Sequence, residues 1–340
     1  MQHKFDRIDR LPPYVFSEVN AMKARARAAE IDVIDFGMGN PDTGSPKHVV
    51  EKLVEAVSDP RTHRYSTSRG IKGLRQAVAN YYGNRFGVEL DIETEVIVTL
   101  GSKEGLANLA SAISAPGDVV LVPNPSYPIH PYGFVIAGAN VCSVRVGDGL
   151  DLMAEIKSAA MRVSPRPKAL VLNFPNNPTG AVVDLEFYSE VVEFARSIGM
   201  YILSDIAYAE IYFDGQPPPS ILQVPGAMDI AVEFSSVSKT YSMPGWRVGF
   251  GAGNKDLIGA LARIKSYLDY GAFTPIQVAA SAALNGPQEC VEAIRNRYRE
   301  RRDVLIDSFA ASGWEIPSPR ATMFVWAPVP AAFEALGSLQ

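Results

Sequence analysis

Residues 230–253 read "IAVEFSSVSKTYSMPGWRVGFGAG". The stretch opens on an apolar run of strand character, closes on a second run that begins at Arg247, and leaves only residues 237 to 246 between them. A parallel crossover takes roughly a dozen residues or more, so the two runs are expected to pair antiparallel or to lie apart in the sheet. The connecting loop sets Lys239 among hydroxyl-bearing neighbours and places Arg247 eight positions later. An amine and a guanidinium thus stand at the edge of one strand and the start of another.

Working outward, five more β-branched runs read as strands: "EVIVTL" (95–100), "DVVLVP" (118–123), "NVCSVRV" (140–146), "ALVLNF" (169–174) and "YILSD" (201–205). Segments such as "SKEGLANLASAIS" and "LEFYSEVVEFARSIG" lie between most of them and are long enough for crossover helices. The expected fold class is therefore α/β, with a largely parallel sheet of seven strands covered by helices on both faces. Toward the termini helices take over. Ser45 and Pro46 read as an N-cap and first helical residue ahead of an apolar stripe at Val49, Val50, Leu53, Val54 and Val57. "IKGLRQAVANYYGNRFG" and "CVEAIRNRYRERRDVLIDSFAASGW" continue in helical spacing, "TMFVWAPV" reads as a strand, and "GQPPPS" (215–220) reads as a surface loop. Residues 46–279 are expected to form a large domain, and 1–45 with 280–340 a smaller α+β domain.

Composition narrows the partners. With 340 residues and 47% apolar content the chain can bury a large core. Its 37 acidic residues outnumber 32 basic ones, which argues against a surface built to grip nucleic acid or anionic membranes and favours small metabolites. Cys142 and Cys290 have no paired or CxxC spacing, which fits a reducing, cytoplasmic setting. Neither a signal-peptide core at "MQHKFDRIDRLPPYVF" nor a run of about 18 apolar residues is present, so export and membrane insertion are not expected. The glycines of "GMGNPDTG" and "GFGAGNKD" miss GxGxxG spacing, and GxxxxGK[ST] and GxSxG are absent. His3, His48, His63 and His130 are scattered without metal-ligand spacing and read as surface or structural residues, so no metal site is expected. The basic run "RNRYRERRD" (295–303) reads as a solvated helix face.

What remains is a set of polar residues at strand ends, where open α/β sheets bind ligands. Ser102 and Lys103 follow a strand and start a helix, so their N–H groups can face an anion, although Ser102 alone is as well explained as an N-cap. Tyr127 in "NPSYPIHP" offers a flat ring that can stack on a ligand or simply pack. Asn177 in "NFPNNPTG" is a turn residue or a donor. Asp205 ends an apolar strand, and a buried carboxylate needs a cationic or hydrogen-bonding partner; Tyr208 leans the same way. Ser236, Lys239 and Arg247 complete the set.

These stretches resemble the pyridoxal-phosphate aminotransferases of fold type I, class I/II. "DFGMGNPD", "RYSTSRGIKGLRQAV", "GSKEGL", "NPSYP", "NNPTG", "SDIAY" and "SVSKTYSMPGWRVGF" stand in that family's order over nearly the whole chain. "RIDRLPPYVF" and "VLVPNPSYPIH" look most like its bacterial alanine-forming, glutamate–pyruvate branch. The resemblance implies that Lys239 carries the pyridoxal 5'-phosphate as a Schiff base and acts as the proton shuttle. It implies that Asp205 pairs with the pyridinium nitrogen, that Asn177 and Tyr208 bond the ring hydroxyl oxygen, and that Tyr127 stacks on the ring. Arg247, Ser236 and the N–H groups of Ser102 and Lys103 would hold the phosphate. Tyr65 would reach the phosphate of a neighbouring subunit in a homodimer. Gly39 would admit the substrate carboxylate, with a turn glycine as the equal alternative. Asn177, Tyr270 and Thr274 would line the substrate pocket.

The reaction implied is exchange of an amino group between an amino acid and a 2-oxo acid, with glutamate, alanine, pyruvate and 2-oxoglutarate as the leading set. The family continues beyond a segment like "PVPAAFEALGSLQ" with a glycine-rich loop and an arginine that clamps the substrate carboxylate. This chain stops at Gln340 and Arg320 does not match the clamp, so the smaller domain is expected to be missing its C-terminal part. Other reactions on the same cofactor, C–S lysis or decarboxylation, stay open, as does a truncated cofactor-binding protein without turnover. A nicotinamide-dependent oxidoreductase is disfavoured by the missing glycine fingerprint.

Overall fold

Strands near the middle of the chain bury both faces, as crossover-connected parallel strands must. The computed structural model describes residues 5–336 apart from 38 and 148, and the chain divides into a unit that ends at Asn40 and a larger unit that begins at Pro41. The first unit carries the helix Val15–Ala28 and an ion pair of 2.8 Å between Lys23 and Asp35.

The larger unit is built on one seven-stranded sheet. Its strands are β1 (Val96–Thr99), β2 (Val119–Asn124), β3 (Asn140–Arg145), β4 (Ala169–Asn173), β5 (Tyr201–Asp205), β6 (Ala231–Ser236) and β7 (Gly249–Gly253). They lie in the order β1-β7-β6-β5-β4-β2-β3. Strands β6, β5, β4, β2 and β3 run parallel, and β7 is antiparallel to both of its neighbours. The short 237–246 connection accordingly returns the chain beside β6 and reverses its direction, the first of the two expected arrangements.

Side chains alternate across this sheet with the period of two that strand geometry imposes. Leu170, Leu172 and Ile202 join one apolar layer with Val49, Leu74, Ile156, Val191 and Ala279 from flanking helices. Ala169, Val171, Leu203, Val232 and Phe234 join the opposite layer with Leu106, Phe134 and Leu261. The helices Ser102–Ile113, Ile129–Ala137 and Lys255–Leu268 supply that second layer.

Three expectations change. Met323 to Val329 form no strand: Thr322 takes φ +73° and turns the chain, and the Phe324 N–H bonds back to the Thr322 hydroxyl. Only Ala321 makes a bridge, to Tyr212. Ser45 does not cap the helix Lys47–Val57, whose N-cap is Pro46, because its hydroxyl donates to the Ser242 carbonyl at 2.9 Å. The 215–220 loop is exposed only as far as Pro217; Pro218 and Ser220 are buried, with the Pro218 carbonyl accepting from Arg85.

Among the described residues, no helix is long and apolar enough to cross a membrane and no cluster of three or more His, Cys, Asp or Glu side chains could hold a metal. His3 lies outside the described residues.

Candidate active site

Strand register decides which loops meet. Asn173 lies opposite Asp205, Asp205 opposite Phe234, Ser236 opposite Gly249, and Gly249 opposite Thr99. The carboxyl ends of β1, β4, β5 and β6 therefore share one edge with the start of β7. Ser102, Asn177, Tyr208, Lys239 and Arg247 each lie within a few residues of those ends, and Tyr127 follows the end of β2. Segments up to 145 residues apart in sequence, from Ser102 to Arg247, converge on that edge.

Asp205 is buried at the end of β5. Its Oδ2 lies 3.0 Å from Nε2 of the equally buried His130, and its Oδ1 accepts the Ala207 N–H at 3.1 Å. The Asn173 amide donates to the Asp205 carbonyl at 2.8 Å and, through its oxygen, accepts the Asn177 N–H at 2.8 Å. Three strand ends are thereby tied into one hydrogen-bonded block. His130 is the member that the sequence reading missed. Its one signal is position, three residues after Tyr127 in "NPSYPIHP", and its partner lies 75 residues away.

Tyr127 packs edge-on against His130, with ring centroids 5.9 Å apart, and the Lys103 ammonium stands 5.7 Å from the centre of the Tyr127 ring. Tyr208 is buried, with its ring against Phe324. Burial pushes its phenol far up, the Asp205 and Tyr127 charges add to that, and a hydrogen bond with the Asn177 side chain acts in the opposite direction. The hydroxyl therefore stays protonated and can donate.

Lys239 lies in the single helical turn Val237–Thr240, which Ser236 caps by accepting the Ser238 N–H at 3.1 Å. The Ser236 hydroxyl also bonds the Val248 carbonyl at 2.9 Å, closing the base of the loop. Lys239 is half-buried, and burial first and the Arg247 charge second lower the pKa of its ammonium. A larger share of free amine is the consequence.

Arg247 adopts φ +57° and donates to the carbonyls of Pro244, at 2.8 Å, and Leu100, at 3.2 Å. Gly101 caps the helix that starts at Ser102, so Ser102 is its first residue and not its N-cap. A Cβ on Gly101 would meet the Arg247 guanidinium at 2.3 Å, and one on Gly249 would meet the Gly101 carbonyl carbon and the Ser102 nitrogen at 2.6 Å. Gly249 is required by close approach to backbone and Gly101 by its φ of +85°, and together they let a helix N-terminus, an arginine and a strand start crowd into one cup. The N–H groups at a helix N-terminus, with a guanidinium alongside, make an anion site.

Tyr65 lies in the segment before the helix Lys72–Phe86, and Tyr270 in the segment after the helix Lys255–Leu268. They pack on each other at 4.9 Å and remain 86% and 64% exposed. Thr274 begins the helix Thr274–Asn285. Gly39 belongs to the unit that ends at Asn40.

The sequence model for "Aminotransferase class I and II" matches residues 31–337. The glutamate-pyruvate aminotransferase AlaC of Escherichia coli K12 is 54% identical over 339 residues, covering 100% of this chain and 82% of that protein. An LL-diaminopimelate aminotransferase of Moorella thermoacetica is 46% identical over 327 residues, covering 96% of this chain and 84% of that protein. Among solved structures, a single mutant of the aspartate aminotransferase of Thermus thermophilus matches with a TM-score of 0.87 at 32% identity, over 95% of this chain and 84% of that one.

Proposed function

The chain belongs to the class I and II aminotransferases, pyridoxal-phosphate enzymes of fold type I, and from that premise we propose a particular exchange: amino transfer between glutamate or alanine and the 2-oxo acids pyruvate and 2-oxoglutarate. The observation that carries the site assignment is the convergence, on one sheet edge, of a half-buried lysine of lowered pKa, a buried carboxylate and an anion cup. The substrate assignment draws its support from the identity to AlaC.

The residues fit the cofactor. The cup of Gly101, Ser102, Lys103, Ser236 and Arg247 would take a phosphate, because it presents N–H groups, hydroxyls and a guanidinium at a spot kept clear of Cβ atoms. Asp205 would bind the ring nitrogen and keep its proton in place, with His130 orienting the carboxylate. Asn177 and Tyr208 would donate to the ring hydroxyl oxygen, and Tyr127 would pack on the ring face. When bound, the cofactor supplies an electron sink that acidifies the substrate Cα–H. Lys239 would hold the cofactor covalently and, once released, accept the proton from Cα and deliver it to the cofactor carbon; its lowered pKa favours the free amine that this work requires. In the same reading the chain acts as a homodimer, with Tyr65 reaching the partner's phosphate and Asn177 and Tyr270 bordering the substrate.

The test is a donor panel. Purified protein loaded with pyridoxal phosphate is given glutamate, alanine, aspartate or LL-diaminopimelate with pyruvate or 2-oxoglutarate, and the amino acids formed are separated and quantified. Alanine from glutamate and pyruvate, and its reverse, should be the fastest pair. A faster reaction with aspartate or LL-diaminopimelate would overturn the substrate assignment, and ammonia or carbon dioxide released without an acceptor would point to lysis or decarboxylation.

A further inference from the structure

The first turn of the helix Ser102–Ile113 carries Glu104, and this carboxylate leads to a buried cation that the proposed chemistry does not use. Lys265 is 0% exposed. Its ammonium lies 2.8 Å from Glu104 and 2.9 Å from Asp269. The second Glu104 oxygen accepts the Leu100 N–H at 2.9 Å, and the Leu100 carbonyl accepts from Arg247 at 3.2 Å. One peptide unit is thus held from both sides, and a continuous series of polar contacts runs from Lys265 through Glu104 and Leu100 to Arg247.

Charge gives this series a direction. Glu104 stands in the same helical turn whose N–H groups form the anion cup. An uncompensated carboxylate there would repel a phosphate dianion, since like charges several ångströms apart in a partly buried site are poorly screened by water. Lys265 offsets part of that charge, its ammonium being shared with Asp269. Replacing the lysine alone would leave two carboxylates without their cation, which destabilises the fold as well as the turn, so the test has to separate phosphate recognition from general loss of structure.

We propose that Lys265 is a positioning residue for phosphate recognition: it fixes the Glu104 carboxylate and offsets its charge, and so keeps the Leu100–Ser102 turn and Arg247 shaped for a phosphate dianion. This rests on the reading of that turn as the phosphate cup. The full-length chain stripped of cofactor is titrated with pyridoxal phosphate and, separately, with pyridoxal, which lacks the phosphate, and binding is read by tryptophan fluorescence. The quantity of interest is the ratio of the two dissociation constants. Wild type should prefer the phosphorylated form, and Lys265→Met should lose roughly tenfold of that preference while pyridoxal binding shifts by less than about twofold. Lys265→Gln, which keeps a polar amide donor without the charge, carries the same expectation if the methionine variant fails to fold. Adding Glu104→Gln to either variant should restore part of the preference, because the repelling charge is gone. An unchanged preference, or an equal loss for both ligands, overturns the proposal. A wild type that binds the two forms alike would instead overturn the reading of the cup.

Discussion

Lys239 holds a charge that its surroundings oppose, first through burial and then through Arg247, and both lower its pKa. The sign is simple: a lowered lysine pKa means that the amine is free at a pH where an exposed lysine is still an ammonium. With pyridoxal as the probe, so that phosphate binding plays no part, covalent attachment to the cofactor-free protein should rise with pH through a midpoint below the ordinary lysine range. Arg247→Gln removes the second cause and should move that midpoint upward. A wild-type midpoint at the exposed-lysine value, or one indifferent to Arg247, would contradict the electrostatic account. At this scale the sequence was informative wherever a residue sits just beyond a strand. Lys239, Asp205 and Asn177 stand out because a polar group follows an apolar run. His130 does not, because what makes it notable is that β4 lies between β2 and β5, and no local pattern around His130 encodes that neighbour.

The pair β6 and β7 carries the site between them, and two elements of its construction can be tested. Gly249 lies where β7 passes the start of the helix Ser102–Ile113, with a Cβ there projected to 2.6 Å from the Gly101 carbonyl carbon. Gly249→Ala must push backbone against backbone, which no side-chain rotation relieves. Denaturant unfolding should register a loss of about 1–3 kcal/mol, together with weaker pyridoxal phosphate binding; an alanine variant with wild-type affinity would mean that the cup is not formed by this approach. The other feature is Glu233 on β6, fully buried and accepting from Ser220 at 2.6 Å, Tyr82 at 3.1 Å, Ser204 at 3.2 Å and the Ile221 N–H at 3.2 Å. Burial outweighs these donors and pushes its carboxyl up to about 7. Below the ordinary glutamate range both folded and unfolded chains hold the proton. As pH rises from there through 7 the unfolded chain releases it first, so stability is lost across that window, by roughly 3 kcal/mol for a shift of this size. Glu233→Gln should flatten this part of the stability profile, since the Ser220 and Tyr82 hydroxyls can rotate to accept the new amide; a slope unchanged by the substitution would place the titration elsewhere. Elements of this kind were legible where apolar runs are bounded by polar turns; six of the strands carry β-branched residues, while β7, Gly-Phe-Gly-Ala-Gly, carries none and shows only as an apolar run after Arg247. "TMFVWAPV" misled because its composition suits a strand while a strand also needs a neighbour, and Thr322 turns the segment away after one bridge.

For the whole molecule the open question is what covers Tyr65 and Tyr270, two large aromatics packed on each other at a tilt yet mostly in solvent. Tyr267, Leu268 and Phe273 are exposed in the neighbouring sequence, so the apolar surface there is larger than two isolated side chains. The segments are well anchored: Ser68 donates to the Asp269 carbonyl at 2.5 Å, and the Gln277 amide donates to Ser66 at 2.9 Å and to the Ala272 carbonyl at 2.6 Å. A rigid, exposed aromatic pair suits a subunit interface better than a free surface. Complementation tests this directly. In the proposed dimer each site combines Lys239 of one subunit with Tyr65 of the other, so Lys239→Ala homodimers should be inactive and Tyr65→Phe homodimers should bind pyridoxal phosphate more weakly. Unfolding a mixture of the two together and refolding it yields hybrids. One site of each hybrid contains both substitutions, but the other pairs an intact Lys239 with an intact Tyr65, and it should work at the wild-type rate at cofactor concentrations too low for the Tyr65→Phe parent. The mixture should therefore exceed the summed activity of its unmixed parents. Simple additivity, with hybrids confirmed by native mass spectrometry, would show that Tyr65 serves its own subunit or none.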